Sequence, residues 1–423
     1  MGYSILNPGI SGLKSSATLA INEKCAQLEM DGRKVYRLGF GQSPFPVPDL
    51  IIEGLKEHAH VKNYLPVRGL PQLREAISRH YSAKYNLQID AANILIGPGS
   101  KELLFILQSV LSGSLILPSP SWVSYAPQAQ IISKSTVWVE TFFENKWVLD
   151  PDDLDRALSA NSFEQPLLLL NYPNNPTGTT IPEDLLIRLS EVARKHGVLI
   201  LSDEIYGELS FSGQHQSIAQ YYPEGTIIST GISKWLGAGG WRLGLFIVPS
   251  ELNLVADSMA KMASETFTSA SAPIQYAAVN AYSQFCHLSG YIENSISILK
   301  LIGDYTFHRL KDMGLRVVQA EGGFYVFPDF VNFSEMLAKK DIFTSEELCS
   351  NLLSETGVAL LPGSDFGRHQ NELTTRLSFV DFDGEKALTL YKEHQGKNQE
   401  PEISLLAPNI IEAMDKIQEW LSL

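Results

Sequence analysis

Cysteine is scarce in this sequence, with only Cys25, Cys286 and Cys349 among 423 residues. Their spacings match neither a disulfide framework nor a set of metal ligands, so we predict no metal site and expect a cytoplasmic protein in a reducing compartment. Basic residues are fewer than acidic ones: the chain has 33 Lys and Arg and 47 Asp and Glu, which gives a formal net charge of −14. An acidic surface repels phosphodiester backbones, which argues against nucleic acid as a partner.

Long apolar runs and complete nucleotide-binding fingerprints are also missing. Stretches such as Leu167–Leu170 have the length of a strand and are too short to span a bilayer, and the first residues lack the apolar core of a signal peptide. We therefore expect no membrane partner. The turn Gly99-Ser100-Lys101 lacks the full spacing of a dinucleotide fingerprint or a P-loop, so it gives little support for NAD or ATP.

The length of the chain exceeds what one hydrophobic core usually serves, and apolar segments alternate mostly with helical patterns. This alternation favours a parallel sheet that is covered on both faces. We predict an α/β fold with a mostly parallel seven-stranded sheet flanked by helices in a large domain (residues 49–300), and a smaller α+β domain (residues 1–48 and 301–423). The seven predicted strands are Asn93–Ile96, Leu115–Leu117, Val137–Glu140, Leu167–Leu170, Val198–Leu201, Thr226–Thr230 and Leu245–Val248.

The C-terminal part has weaker patterns, and we interpret residues 384–408, which contain the polar run KEHQGKNQEPE, as a loop insertion before a final helix. The extended segments predicted for the small domain are Leu315–Gln319, Gly323–Phe327, Val358–Leu361 and Thr374–Ser378.

Lys234 follows the β-branched run Thr226–Thr230, and Arg242 follows eight residues later with glycines between them. A lysine at the carboxyl end of a buried strand lies beside the crevice where open α/β sheets bind ligands. Shielding from water lowers the pKa of such an amine and makes it a nucleophile, whose natural partner is an aldehyde. The nearby arginine indicates that the carrier of the aldehyde also bears a phosphate. An ordinary surface loop with one Lys and one Arg is the alternative.

The other predicted strand ends also carry polar or aromatic residues. Trp122, Asn175, Asp203 and Tyr206 each follow one of these strands, and in a parallel sheet all such ends meet at one edge. Three of them have a simpler explanation when taken alone. Trp122 would be a core residue, Asn175 a turn residue before proline, and Asp203 the cap of the next helix. Convergence of all of them with Lys234 is hard to obtain from caps and turns alone.

With these motifs in place, the chain from about Ser16 to its end resembles the class I (fold-type I) pyridoxal-phosphate aminotransferases. The shared motifs occur in the family's order. They are Tyr64…Gly69, Gly99-Ser-Lys101, Pro120-Ser-Trp122, Asn174-Asn-Pro-Thr-Gly178, Ser202-Asp-Glu-Ile-Tyr206, Ser233-Lys234…Arg242, Gly322-Gly-Phe-Tyr325 and Arg376-Leu-Ser-Phe379.

The resemblance implies pyridoxal 5′-phosphate as the cofactor and assigns catalytic roles. Lys234 would hold the cofactor as a Schiff base, the internal aldimine, and then move the proton between substrate Cα and cofactor C4′. Asp203 would pair with the pyridine nitrogen and keep the ring protonated as an electron sink. Tyr206 and Asn175 would hydrogen-bond the phenolic oxygen of the ring, and Trp122 would stack on its face.

The resemblance also assigns the remaining contacts. Ser100, Lys101 and Arg242 would surround the cofactor phosphate, the first two through backbone N–H groups at a helix N-terminus. Tyr64 resembles the residue that reaches the phosphate from the neighbouring subunit, which implies a homodimer with shared active sites. Arg376 would clamp the substrate α-carboxylate, for which the guanidinium fork is suited.

Two departures from the family pattern bear on the site. Gly231 stands where many members have Ser, which would remove one hydrogen bond to the phosphate, although a bacterial aspartate aminotransferase subgroup also has Gly there. The usual Gly-Glu-Pro of the N-terminal loop is Gly41-Gln42-Ser43 here. Gly41 belongs to the loop that approaches the substrate, so this difference concerns specificity.

We predict ping-pong transamination between an L-amino acid and a 2-oxo acid. Lys101 occupies the position where a bacterial aspartate aminotransferase subgroup carries a lysine that meets the distal carboxylate, which favours aspartate and 2-oxoglutarate. The alternatives are an aromatic or broad neutral donor, a β-eliminating lyase or cyclising synthase on the same scaffold, and a non-catalytic cofactor-binding domain.

Overall fold

The computed structural model describes residue 7 and residues 9–13, 17–161, 164–397 and 399–422. Within these ranges the larger sheet has the strand order β1-β7-β6-β5-β4-β2-β3. Its strands are β1 (Ile94–Gly97), β2 (Leu115–Ser119), β3 (Thr136–Glu140), β4 (Leu167–Asn171), β5 (Leu199–Asp203), β6 (Thr226–Gly231) and β7 (Gly244–Ile247). Strands β2 to β6 run parallel, whereas β7 is antiparallel to both of its neighbours. The predicted mostly parallel seven-stranded sheet is thus confirmed.

Helices cover both faces of this sheet. The side chains of each strand alternate between the faces, and because the strands are mostly apolar, both faces carry apolar side chains that must be buried. On β4, Leu167 and Leu169 pack on one side against a cluster that includes Leu103, while Leu168 and Leu170 pack on the other. The helices before the small sheet are α1 (Ala17–Met30), α2 (Asp49–His58), α3 (Pro71–Tyr85), α4 (Ser100–Val110), α5 (Tyr125–Ile131), α6 (Pro151–Ser159), α7 (Glu183–His196), α8 (Asn253–Thr266), α9 (Ala272–Ser283) and α10 (Ser289–Asp312).

A second, antiparallel sheet of three short strands, in the order β8-β10-β9, forms in the C-terminal part that the structure describes. Its strands are β8 (Tyr325–Val326), β9 (Leu361–Pro362) and β10 (Thr375–Ser378). The helices of this part are α11 (Ser334–Ala338), α12 (Ser345–Thr356), α13 (Gly384–Gln395), α14 (Ile403–Leu406) and α15 (Pro408–Leu421). The domain boundaries at 48/49 and 300/301 stay a prediction.

Three C-terminal predictions were wrong. The segment Val358–Leu361 is not a strand, because Val358 forms an isolated bridge with Tyr36 and β9 begins only at Leu361. Leu315–Gln319 is not a strand, because only Arg316 forms an isolated bridge, with Asp329. The predicted loop insertion over 384–408 is largely helical as α13 and α14. The Asp383 carboxylate caps α13 by accepting hydrogen bonds from its first N–H groups, and the polar run begins in the last turn of this helix, at Lys392–Gln395.

In the described residues, the helices are too short or too polar to cross a membrane. The same residues contain no group of three or more His, Cys, Asp or Glu side chains placed to hold a metal ion.

Candidate active site

The carboxyl ends of the parallel strands open into a cavity of about 630 Å³. Ten of the eleven predicted site residues line it: Gly41, Ser100, Lys101, Trp122, Asn175, Asp203, Tyr206, Lys234, Arg242 and Arg376. Tyr64 is the exception, because it lies outside this cavity with 87% of its surface exposed. The register of the strands explains why the predicted residues lie in one cavity. Asn171 on β4, Asp203 on β5 and Ser229 on β6 are direct neighbours, so the residues that follow these strands start from the same edge of the sheet.

Lys234 lies three residues past the end of β6, and its Nζ donates a hydrogen bond to the Gly41 carbonyl at 2.5 Å. Burial lowers the pKa of Lys234 to about 8, and the positive charge of Arg376 acts in the same direction. Near neutral pH a useful fraction of this amine is therefore unprotonated and nucleophilic. At Gly231 a Cβ atom would lie 2.7 Å from the Leu243 carbonyl oxygen, which explains why Ser is disfavoured there.

Asp203 ends β5 and is 3% exposed. Burial raises its pKa to about 6, so the carboxylate is mostly ionised at pH 7. Its Oδ2 accepts a hydrogen bond from the Tyr125 hydroxyl at 2.6 Å. The helix-cap interpretation fails, because the next helical turn begins after Tyr206 and has no side-chain cap.

Arg376 comes from β10 of the small sheet and is 2% exposed, so both sheets contribute to the cavity. Its Nη1 donates to the Asn175 side-chain oxygen at 3.1 Å and its Nη2 to the Gly39 carbonyl at 2.7 Å. Its buried Nε has no hydrogen-bond partner among the described residues. The ring of Tyr325 lies 4.7 Å from the guanidinium, and its hydroxyl is 2.9 Å from that of Tyr206.

The first turn of α4 and Arg242 form the opposite wall. Gly99 has φ +93°, and a Cβ there would lie 2.1 Å from Arg242 Nη2, so only glycine allows this approach. Gly99 also provides no side-chain cap for α4, whose first N–H groups remain available for an anion. The Lys101 ammonium lies 4.9 Å from the centre of the Trp122 ring at the solvent-accessible edge of the cavity.

These residues fit a phosphorylated pyridine aldehyde. The cavity offers an amine of lowered pKa, a carboxylate for a ring N–H and a helix N-terminus with a guanidinium for a phosphate. The Nε donor of Arg376 without a partner is consistent with a further acceptor in the cavity.

Among the lining residues without a predicted role, Tyr125, Asn171 and Tyr325 form hydrogen bonds to predicted site residues. Asn171 donates to the Asp203 carbonyl at 2.8 Å and accepts from the Asn175 backbone N–H at 2.7 Å. The sequence contained a signal for each of them. Tyr325 ends the Gly322 motif, Tyr125 follows Trp122 by three residues, and Asn171 is the first residue after the apolar run of β4.

Residues 33–385 match the family model described as aminotransferase class I and II. The chain belongs to this family. It is 34% identical over 387 residues to an aspartate aminotransferase of Geobacillus stearothermophilus (88% of this chain, 93% of the relative), and 31% identical over 366 residues to an aspartate/prephenate aminotransferase of Thermus thermophilus (85% and 91%). The solved structure of the Thermus thermophilus aspartate aminotransferase with maleate superposes with a TM-score of 0.84 at 26% identity, covering 99% of this chain and 100% of the other.

The family membership confirms three predictions: the fold-type I fold, pyridoxal phosphate as the cofactor and transamination as the reaction. The protein is a pyridoxal-phosphate-dependent transaminase that takes amino and 2-oxo acids as substrates.

Proposed function

We propose that this transaminase transfers the amino group of L-aspartate to a 2-oxo acid, 2-oxoglutarate, in a ping-pong reaction. The observation that carries the proposal is that the cavity is lined by two cations, Lys101 and Arg376, in addition to Lys234 and the Arg242 that we assign to the cofactor phosphate. A dicarboxylic substrate offers two matching anions. The relatives' names support this choice, as does the maleate bound by the Thermus thermophilus enzyme, because maleate is a dicarboxylate.

When bound, pyridoxal phosphate supplies an aldehyde that condenses with amines and a ring that withdraws electrons. Lys234 is the residue that we assign to hold it covalently, and Lys234 Nζ then takes the proton from the substrate Cα. Asp203 provides a negative charge opposite the ring nitrogen. Tyr206 and Asn175 orient the ring through its phenolic oxygen, and Trp122 packs on its face.

The remaining roles concern the two ends of the ligands. Ser100, Lys101 and Arg242 surround the phosphate through backbone N–H groups and the guanidinium. Arg376 binds the substrate α-carboxylate, for which its hydrogen bonds to Asn175 and Gly39 fix the guanidinium plane. The Lys101 side chain is free to meet the distal carboxylate, and Gly41 contributes backbone to the substrate side of the cavity.

The Lys101→Met variant tests the substrate assignment. A partly desolvated ionic contact contributes roughly 1–3 kcal/mol, so its loss should lower kcat/KM for aspartate by about tenfold to a hundredfold. The methionine retains the aliphatic stem, and kcat/KM for phenylalanine should change by less than about threefold. The measurement is the ratio of the two specificity constants in wild type, Lys101→Met and the exposed-lysine control Lys261→Met.

An unchanged ratio in Lys101→Met would remove the main support for aspartate. A wild-type ratio that already favours phenylalanine would instead support the aromatic or broad neutral donor, which the altered Gln42 loop also favours. Release of pyruvate and ammonia from the amino donor would indicate elimination in place of transfer.

We also propose a homodimer with shared active sites. The ring of Tyr64 is almost fully exposed in the single chain, which fits a residue that is buried by a second subunit. Tyr64→Ala and Lys234→Ala should each be inactive alone, but their hybrid should regain activity because one of its two sites combines intact Lys234 with the partner's intact Tyr64. After equal mixing and reassembly, about a quarter of the wild-type activity is expected for a two-fold symmetric dimer.

Mixing two Lys234→Ala preparations that carry different tags provides the control, which should stay inactive. A monomeric, fully active protein in sedimentation would contradict the shared site. We place the enzyme in the cytoplasm, which is supported by its three free cysteines, two of them buried.

A further inference from the structure

The carboxylate of Asp203 is held unequally at its two oxygens. Oδ2 receives the Tyr125 hydroxyl at 2.6 Å, whereas Oδ1 has only two longer contacts, with the Ile205 N–H and the Ser229 hydroxyl, both at 3.4 Å. Hydrogen bonds weaken strongly over this range of distance. Of the residues that the structure describes, Tyr125 therefore provides the one short hydrogen bond to this carboxylate, and Oδ1 retains acceptor capacity.

The direction of the short bond follows from the surroundings of Tyr125. The residue is 1% exposed, and burial together with the negative charge of Asp203 raises its pKa well above the usual range of a phenol. The hydroxyl consequently stays protonated, and it donates to Asp203. A donor on a carboxylate stabilises the ionised form relative to the neutral acid.

Packing fixes the position of this hydroxyl. Tyr125 is the first residue of α5, and Gln128 of the same helix donates from Nε2 to the Lys101 carbonyl at 2.8 Å and accepts from Gln108 at 3.1 Å. The Trp122 ring meets the Tyr125 ring edge to face, with centres 5.2 Å apart. The helix that carries the phosphate-binding turn thereby also sets the place of the phenol.

We propose that Tyr125 is a positioning residue for Asp203: its hydroxyl occupies Oδ2, fixes the orientation of the carboxylate and keeps it ionised, so that Oδ1 remains for the ring nitrogen of the cofactor. The inference rests on the proposed function, because it takes Asp203 as the partner of that nitrogen.

Other groups around Asp203 also influence its ionisation. Glu204, the next residue, adds a negative charge that raises the pKa of Asp203, while Lys234 after β6 is a positive charge on the cavity side. Tyr206 lies on the loop that follows β5, and burial raises its pKa, so it stays neutral. Among these, only Tyr125 makes a short hydrogen bond to the carboxylate.

The test is the dissociation constant of pyridoxal phosphate from the Tyr125→Phe enzyme, divided by the wild-type value, between pH 5.5 and 9. Loss of one charge-assisted hydrogen bond should raise the pKa of Asp203 by about one unit. The ratio of the two dissociation constants should thus be near one at pH 9, where Asp203 is ionised in both proteins. It should rise to about tenfold at pH 5.5. Because the cofactor's own titration is common to both proteins, it cancels in the ratio.

A ratio that is raised equally at every pH would mean a purely structural role, and a ratio of one throughout would mean no role; either overturns the proposal. Tyr222→Phe, which removes another buried phenol outside the cavity, should give a ratio of one at every pH. If Tyr125→Phe does not fold, Tyr125→His is measured instead. Its N–H can restore the bond, so a ratio near one at both ends of the range supports the proposal and a pH-independent loss contradicts it.

The Asp203→Asn variant distinguishes a failure of the role proposed for Asp203 from a failure of the role inferred for Tyr125. If this variant binds pyridoxal phosphate as tightly as wild type at pH 8, the proposed role of Asp203 fails and the inference fails with it. If it binds more weakly while the Tyr125→Phe ratio stays flat, only the inference about Tyr125 fails.

Discussion

Replacement of Lys234 by alanine is expected to lower turnover by at least about 10⁴-fold while the protein still binds pyridoxal phosphate noncovalently. The loss is large because the same amine supplies the nucleophile and the proton carrier, and general acid–base catalysis alone contributes about 10²–10⁴-fold. Binding survives because the contacts assigned to the phosphate and the ring come from other residues, such as Arg242 and Asp203. The measurements are steady-state rates and the absorbance of the bound cofactor after gel filtration.

Borohydride reduction of the wild-type enzyme tests the same assignment directly, because it should fix a pyridoxyl group on the peptide that contains Lys234. Lys261→Ala serves as the matched control and should keep the full rate, since this lysine is exposed and lies outside the cavity. Label on Lys101 or Lys261 would refute the assignment.

The larger sheet could be predicted because its strands carry their own signal. Runs such as Thr226–Thr230 are rich in β-branched residues and buried along their whole length, and a flanking helix such as α7 buries one apolar stripe, Leu186, Leu189 and Ala193. The small sheet could be predicted less well. Its strands β8 and β9 are two residues long, so their extended conformation depends on pairing with β10 rather than on a local pattern.

The site was predictable to the extent that strand ends share one edge. The positions of Asn175, Asp203 and Lys234 in the sequence predicted that they lie close together, because each follows a strand of the same sheet. It carried no information on how Arg376, from another sheet, enters the cavity; only the resemblance to a family implied its role. The hydrogen bond between Tyr125 and Asp203 joins residues 78 positions apart and depends on the packing of α5, which no local motif encodes.

Removal of the charge at Asp203 is expected to cost about 10³-fold in kcat/KM in the Asp203→Asn and Asp203→Ala variants. The magnitude is that of a preorganised electrostatic group lost from a water-excluded site. Asp203→Glu should retain partial activity, about tenfold to a hundredfold below wild type, because the charge is kept but displaced by the extra methylene. The comparison requires specificity constants for one amino donor in all four proteins.

The stability of the cofactor-free protein distinguishes this catalytic effect from misfolding. Because burial raises the pKa of Asp203 from 3.8 to about 6, its ionised form disfavours the folded state, at roughly 3 kcal/mol. This cost is fully present above pH 6 and disappears as the pH falls below 3.8. At pH 8 cofactor-free Asp203→Asn should therefore melt at the wild-type temperature or above it, although its activity is almost lost. Near-normal rates in Asp203→Asn would contradict a role opposite the ring nitrogen, whereas a lower melting temperature would mean that the carboxylate stabilises the fold.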